Sequence, residues 1–117
     1  MLGFNFDKSQ RLTQPTQFEL VYSNGKSMHR GPVRIHALAN ECRHHRLGLS
    51  VPRRAGNAVR RNRFKRLFRE AFRHLPEADD CGYDLVITLR AHQPYTLIRY
   101  QDMLQEAIKR MTRTSSP

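Results

Sequence analysis

Apolar residues recur along this chain with two different periods, and the switches between them divide it into elements. Phe18, Val21 and Tyr22 repeat at helical spacing behind two candidate starts, Thr13 and a capping box that opens at Thr16 with Glu19 three residues on. Ser23, Asn24 and Gly25 stop that helix. From Val33 to Ala39 the period drops to two, with Val33, Ile35 and Ala37 on one side and Arg34, His36 and Leu38 on the other. Leu47, Leu49 and Val51 repeat the alternation, which predicts two strands joined through Asn40 to His45. Helical spacing returns in Phe64, Leu67, Phe68, Ala71, Phe72 and Leu75, which share one arc at about 100° per residue. Asn57 is placed to cap this helix, Gly56 gives the chain freedom to enter it, and Pro76 ends it. Glu77 to Gly82 reads as a turn and Tyr83 to Arg90 as the best strand. Tyr95 to Met111 reads as a closing helix that buries Leu97, Tyr100, Leu104, Ala107, Ile108 and Met111.

The order is therefore helix, strands, helix, strand, helix, an α+β pattern. With 117 residues, 38% of them hydrophobic, the chain can bury one core, so residues 1–117 form a single domain. Its ordered part is expected over about residues 11–112, with flexible ends at 1–10 and 113–117. Cys42 and Cys81, without an apolar leader at the N-terminus, point to unpaired thiols in a reducing cytoplasm. No stretch has the length of a membrane span.

Charge sharpens this picture. The net charge is +11, and it is localised. Between Arg53 and Arg73 nine basic residues face a single acid, Glu70, so eight of the net charges lie in this fifth of the chain. On the helix they fill the arc opposite the apolar stripe. Most are arginines, whose planar fork matches phosphate oxygens, which makes a polyanion the expected partner of that face. Nucleic acid is preferred over an anionic membrane, because the apolar face of this helix is needed for its own core.

Catalytic machinery is not legible. Asp79, Asp80 and Asp84 form the only acidic cluster, in a turn where Asp serves local hydrogen bonding, and a two-metal nuclease needs carboxylates converging from separate elements. Cys42, His44 and His45 lack a fourth ligand at zinc spacing and read as an exposed loop. There is no nucleophile elbow, P-loop or dinucleotide fingerprint. No catalytic residue and no metal site is assigned to the polypeptide.

The segment GNAVRRNRFKRLFREAFR, residues 56–73, closely resembles the RNR motif of the bacterial ribonuclease P protein component, and LGLSVPRRAGNAV before it is similar to the strand and turn that introduce the motif. A weaker likeness runs from about Arg11 to Met111, through RLTQPTQFELVYSNGK, YDLVITLR and the last helix. The resemblance implies a small α/β sandwich, a central sheet of about four strands with three helices in the order α-β-β-(β)-α-β-α, and a left-handed βαβ crossover that presents the basic helix. It also implies a division of labour. The RNA subunit cuts precursor tRNA with bound Mg2+ to leave a mature 5′ end, while the protein, inactive alone and expected to be monomeric without RNA, binds the catalytic RNA and the single-stranded 5′ leader. Carried over by position, Arg53, Arg54, Arg61, Asn62, Arg63, Lys65, Arg66 and Arg69 would contact the RNA subunit. Phe18, Tyr22 and His36 would line the leader cleft, His36 standing where the family often has tyrosine.

The residues support stacking independently, since Phe18 and Tyr22 at i and i+4 share a helix face, and bases stack on such rings in single-strand binding. Two rivals belong to other classes. A basic zipper needs leucine heptads beyond the basic helix, whereas Pro76 and an acidic turn follow Leu75. A ribosomal or general RNA-binding protein differs from the favoured reading only through the motif, because phosphate contacts carry no sequence information.

Overall fold

A computed structural model of the chain describes residues 10–78 and 81–114. Three helices, α1 (Pro15–Asn24), α2 (Ala58–Arg73) and α3 (Leu97–Thr114), accompany four strands, β1 (Lys26–Arg30), β2 (Val33–Ala39), β3 (Arg46–Ser50) and β4 (Tyr83–Leu89). The strands form one sheet in the order β1-β2-β4-β3. The β1/β2 and β2/β4 pairs are antiparallel, and β3 and β4 are parallel. The connection between those parallel neighbours runs through α2, so β3-α2-β4 is the crossover unit to which the resemblance assigns left-handedness.

Alternation along β2 and β4 decides which face is closed. Val33, Ile35, Ala37, Leu85, Ile87 and Leu89 are all buried against Phe64, Phe68, Phe72, Tyr100 and Leu104 of α2 and α3. The opposite face carries a smaller cluster in which Val21 of α1 meets Leu12 and Val86, with Phe18 and Leu38 at its edge. α1 is short and covers only part of that face.

Several boundaries differ from the sequence expectation. α1 starts at neither Thr13 nor Thr16. Pro15 takes the first helical position, where its missing N–H costs nothing, and Gln14 precedes it as the cap residue. The Gln17 side chain accepts from the backbone N–H groups of Thr13 and Gln14, both at 3.0 Å. Periodicity does not locate β1, since KSMHR has one apolar residue, Met28, and lies at the sheet edge. α3 begins at Leu97, with Thr96 Oγ1 accepting from Arg99 N. Tyr95 stays outside, its N–H donating to the buried Tyr100 hydroxyl at 3.0 Å.

Two local readings are corrected. His45 is buried, stacked on Tyr83, with Nδ1 accepting from the Tyr83 backbone N–H at 3.1 Å. It is therefore a satisfied core histidine rather than a member of an exposed loop. Asp84 lies within β4, where it accepts two hydrogen bonds from Arg46, at 2.8 and 2.7 Å, and one from Asn40. A nearly buried carboxylate needs such partners, so its role is structural. Asp79 and Asp80 lie outside the described residues. Cys42 and Cys81 are free thiols, and among the described residues no helix is long and apolar enough to cross a membrane.

Candidate nucleic-acid interface

The basic helix is built from its entrance. Pro52 opens a single turn, Arg53–Ala55, after which Gly56 adopts φ 152°, a conformation that a side chain would strain. Asn57 caps α2 by accepting from Arg60 N at 2.9 Å, which satisfies a free N–H of the first turn. The apolar arc then turns inward, with Phe64, Phe68, Ala71 and Phe72 buried. That rotation leaves Asn62, Arg63, Arg66 and Arg69 on the outer surface and Lys65 half-buried at its margin. Arg61 is half-buried and donates from Nε to the Gly56 carbonyl at 3.1 Å, so part of its donor set holds the helix entrance. Arg73 is paired with Glu70. Arg53, Arg54, Arg63, Lys65, Arg66 and Arg69 form no ion pair among the described residues. Their charge is therefore available to an external polyanion.

The second site is the uncovered part of the sheet. Beside α1 the polar faces of β1, β2 and β4 leave a cleft of about 600 Å³ lined by Tyr22, His29, Arg34, His36, Arg54 and Arg90, among others. Tyr22, 41% exposed, sets its ring edge-on to His36 at 4.9 Å, with its hydroxyl 3.4 Å from Thr88 Oγ1. Burial is the main influence that lowers the His36 pKa below the usual histidine value, reinforced by Arg34 and His29. The imidazole is thus biased toward its neutral form, a flat surface beside the phenol ring.

The three aromatic positions expected for the leader do not behave alike. Tyr22 and His36 come together. Phe18 is half-buried one turn away, packed against Gly48 so closely that a Cβ there would lie 2.8 Å from its ring. Phe18 is therefore largely a packing residue that seats α1 on the sheet. Arg54, grouped by sequence with the basic helix, lines the cleft and links the two basic regions. His29, Arg34 and Arg90 are cleft residues that sequence reasoning missed. The alternation of β2 does put Arg34 and His36 on one face, whereas His29 and Arg90 come from β1 and from the end of β4, which only strand pairing brings alongside.

The chain is similar in sequence and fold to known proteins. The family model described as Ribonuclease P matches residues 6–115. The ribonuclease P protein component of Clostridioides difficile is 36% identical over 87 residues, covering 74% of this chain and 76% of that protein. That of Staphylococcus haemolyticus is 33% identical over 106 residues, covering 88% and 90%. Among solved structures, the Staphylococcus aureus RNase P protein superposes with a TM-score of 0.68 at 31% identity, covering 87% of this chain and 94% of that one. The protein from Thermotoga maritima gives 0.70 at 29%, covering 86% and 96%.

Proposed function

This chain belongs to the family of bacterial ribonuclease P protein components, subunits of the endoribonuclease that matures tRNA 5′ ends, and from that premise we propose that its two basic regions hold two different RNAs. The outer face of α2, with Arg53, Arg61, Asn62, Arg63, Lys65, Arg66 and Arg69, takes the catalytic RNA subunit. The cleft beside α1, with Tyr22 and His36 and with Phe18 behind them, takes the single-stranded leader of precursor tRNA. Arg54 lies where the two RNAs would approach each other. One observation carries this reading: a rigid cationic helix and a concave, aromatic, cationic cleft are built separately in one small domain. The helix suits phosphates held at fixed spacing, whereas the cleft suits bases free to leave a stack.

Cleavage chemistry falls, in this reading, to the RNA subunit and the Mg2+ it holds. The described carboxylates nearest the basic regions are engaged in ion pairs. Asp84 is committed to Arg46, Glu106 to Arg30 and Glu70 to Arg73. Among the described residues no group of three His, Cys, Asp or Glu side chains could hold an ion. The protein's contribution is then to hold substrate against the RNA and to screen phosphate repulsion between them, which lowers the magnesium required.

Reconstitution tests the division. Precursor tRNA is offered to the protein alone, to the cognate RNA subunit alone, and to both, at low magnesium. Cleavage is expected only in the third mixture. Cutting by rigorously purified protein without RNA would overturn the assignment of chemistry to the RNA.

A further inference from the structure

The cleft contains a group of side chains whose protonation and charge are tied together by geometry. His29 and Arg34 are paired across β1 and β2, and Arg34 Nε donates to His29 Nε2 at 2.6 Å. His36 follows two residues after Arg34 on the same face, and its Nδ1 is buried with no hydrogen-bond partner among the described residues. Nε2 is not buried in this way, so it is the ring nitrogen that a ligand in the cleft can meet.

The charged surroundings are of one sign. Facing His36 are Tyr22 from α1, His29 from β1, Arg34 on its own strand, Arg54 from the turn before α2 and Arg90 after β4. Among the described residues no carboxylate lines this cleft. An empty cleft therefore disfavours a further proton on His36, and a phosphodiester placed among these arginines reverses the balance.

We propose that Arg34, His36 and Arg90 form a phosphodiester site in which occupation by the single strand is coupled to uptake of one proton on His36. This rests on the reading of the cleft as the leader path and adds to it a mechanism that a tyrosine at the same position could not provide. When the phosphate enters, Arg34 has an acceptor that competes with His29, and the imidazolium of His36 donates to the strand. The sign follows from linkage. A group that binds its proton more tightly in the complex than in the free protein makes affinity rise as pH falls through its complexed pKa. The gain levels off below the free pKa, which lies below the ordinary histidine value. One proton bounds the slope at about tenfold per pH unit.

The test uses the holoenzyme assembled with its cognate RNA subunit. Equilibrium binding is measured for precursor tRNA carrying an all-uridine leader, whose bases do not titrate in this range, and for mature tRNA, between about pH 8 and about pH 6. The ratio of the two affinities isolates the leader. In the wild-type protein that ratio is expected to grow by roughly 3- to 10-fold as the pH falls. In His36→Phe, which keeps a flat ring and removes the titrating group, it should stay constant. His29→Gln, which offers Arg34 a non-titrating acceptor, should retain the pH dependence, and circular dichroism should show both variants folded. A wild-type ratio above one that does not change with pH overturns the proton coupling while leaving the leader cleft intact. So does a pH dependence that persists in His36→Phe or vanishes in His29→Gln. A ratio of one at every pH removes the leader cleft itself and this coupling with it.

Discussion

The two faces of the sheet are made from the same strands and have opposite fates. On one, Ile35, Ile87 and Leu85 disappear beneath the aromatic rows of α2 and α3. On the other, α1 seals only the patch around Val86 and leaves His36 and Arg34 open. β2 contributes to both simply by alternating, with Ile35 inward and its neighbours Arg34 and His36 outward. The closed face makes the domain stable enough to hold the open face in shape, while the open face carries side chains too polar to be covered. α2 repeats the contrast within one helix, buried at Phe64 and Phe68 and cationic at Arg63 and Arg66.

Substitutions can test how cleanly these roles separate. Replacing Arg61, Arg63 and Arg66 together should have the largest effect, weakening binding to the RNA subunit by roughly 1.5–3 kcal/mol for each charge-assisted hydrogen bond to phosphate that disappears. Titration against salt should show the slope of log K becoming shallower by about 0.7–0.9 for each phosphate no longer neutralised, with native circular dichroism. Unchanged affinity and slope would place the RNA-subunit face elsewhere. Phe64→Ala should act through the fold, costing about 3–5 kcal/mol in denaturant unfolding because Phe64 is wholly buried and stacks on His92.

Tyr22→Ala is the counterpart on the open face. Its melting should change little, while the affinity for precursor tRNA with a leader falls by about 1–3 kcal/mol and that for mature tRNA stays put. An equal loss on both substrates would deny Tyr22 any part in reading the leader. A smaller effect separates the core histidine from the cleft histidine. Burial lowers the His45 pKa below the usual histidine value, so the unfolded chain takes up the proton first. Stability present above about pH 6.5 is then lost as pH falls toward the folded pKa, at no more than about 1.4 kcal/mol per unit. His45→Asn, which offers Tyr83 N–H a non-titrating acceptor, should flatten that part of the pH profile measured by denaturant titration. A profile identical to wild type would mean that His45 does not titrate with unfolding.

Much of the fold is legible because it depends on local periodicity. The stripe from Phe64 to Phe72, the Asn57 cap, the alternation of β2 and the strand at β4 each follow from residues close together in sequence, and each is present in the structure, although α2 ends at Arg73, short of Leu75. β1 escapes for the same reason in reverse. With Met28 as its one apolar residue, it has no pattern to read, and it becomes a strand because β2 offers an edge to pair with. Pro15 outweighs the two threonines as the start of α1 because a fixed φ and an absent N–H suit the first helical position better than a hydroxyl nearby.

By itself the sequence determined the basic helix, its polyanionic preference and, through the RNR resemblance, the family. These are properties of side chains that neighbours along the chain keep in order. Only the tertiary structure decided which aromatics meet and which charges share a cleft. Register across β1, β2 and β4 sets His29 beside Arg34, and Arg34 opposite Thr88, two residues short of Arg90. The close approach of Phe18 to Gly48 withdraws one expected ring into packing, while Tyr22 is left at the surface against His36. Such pairings depend on where separate strands and a helix come to rest against one another, so no periodicity along the chain can encode them.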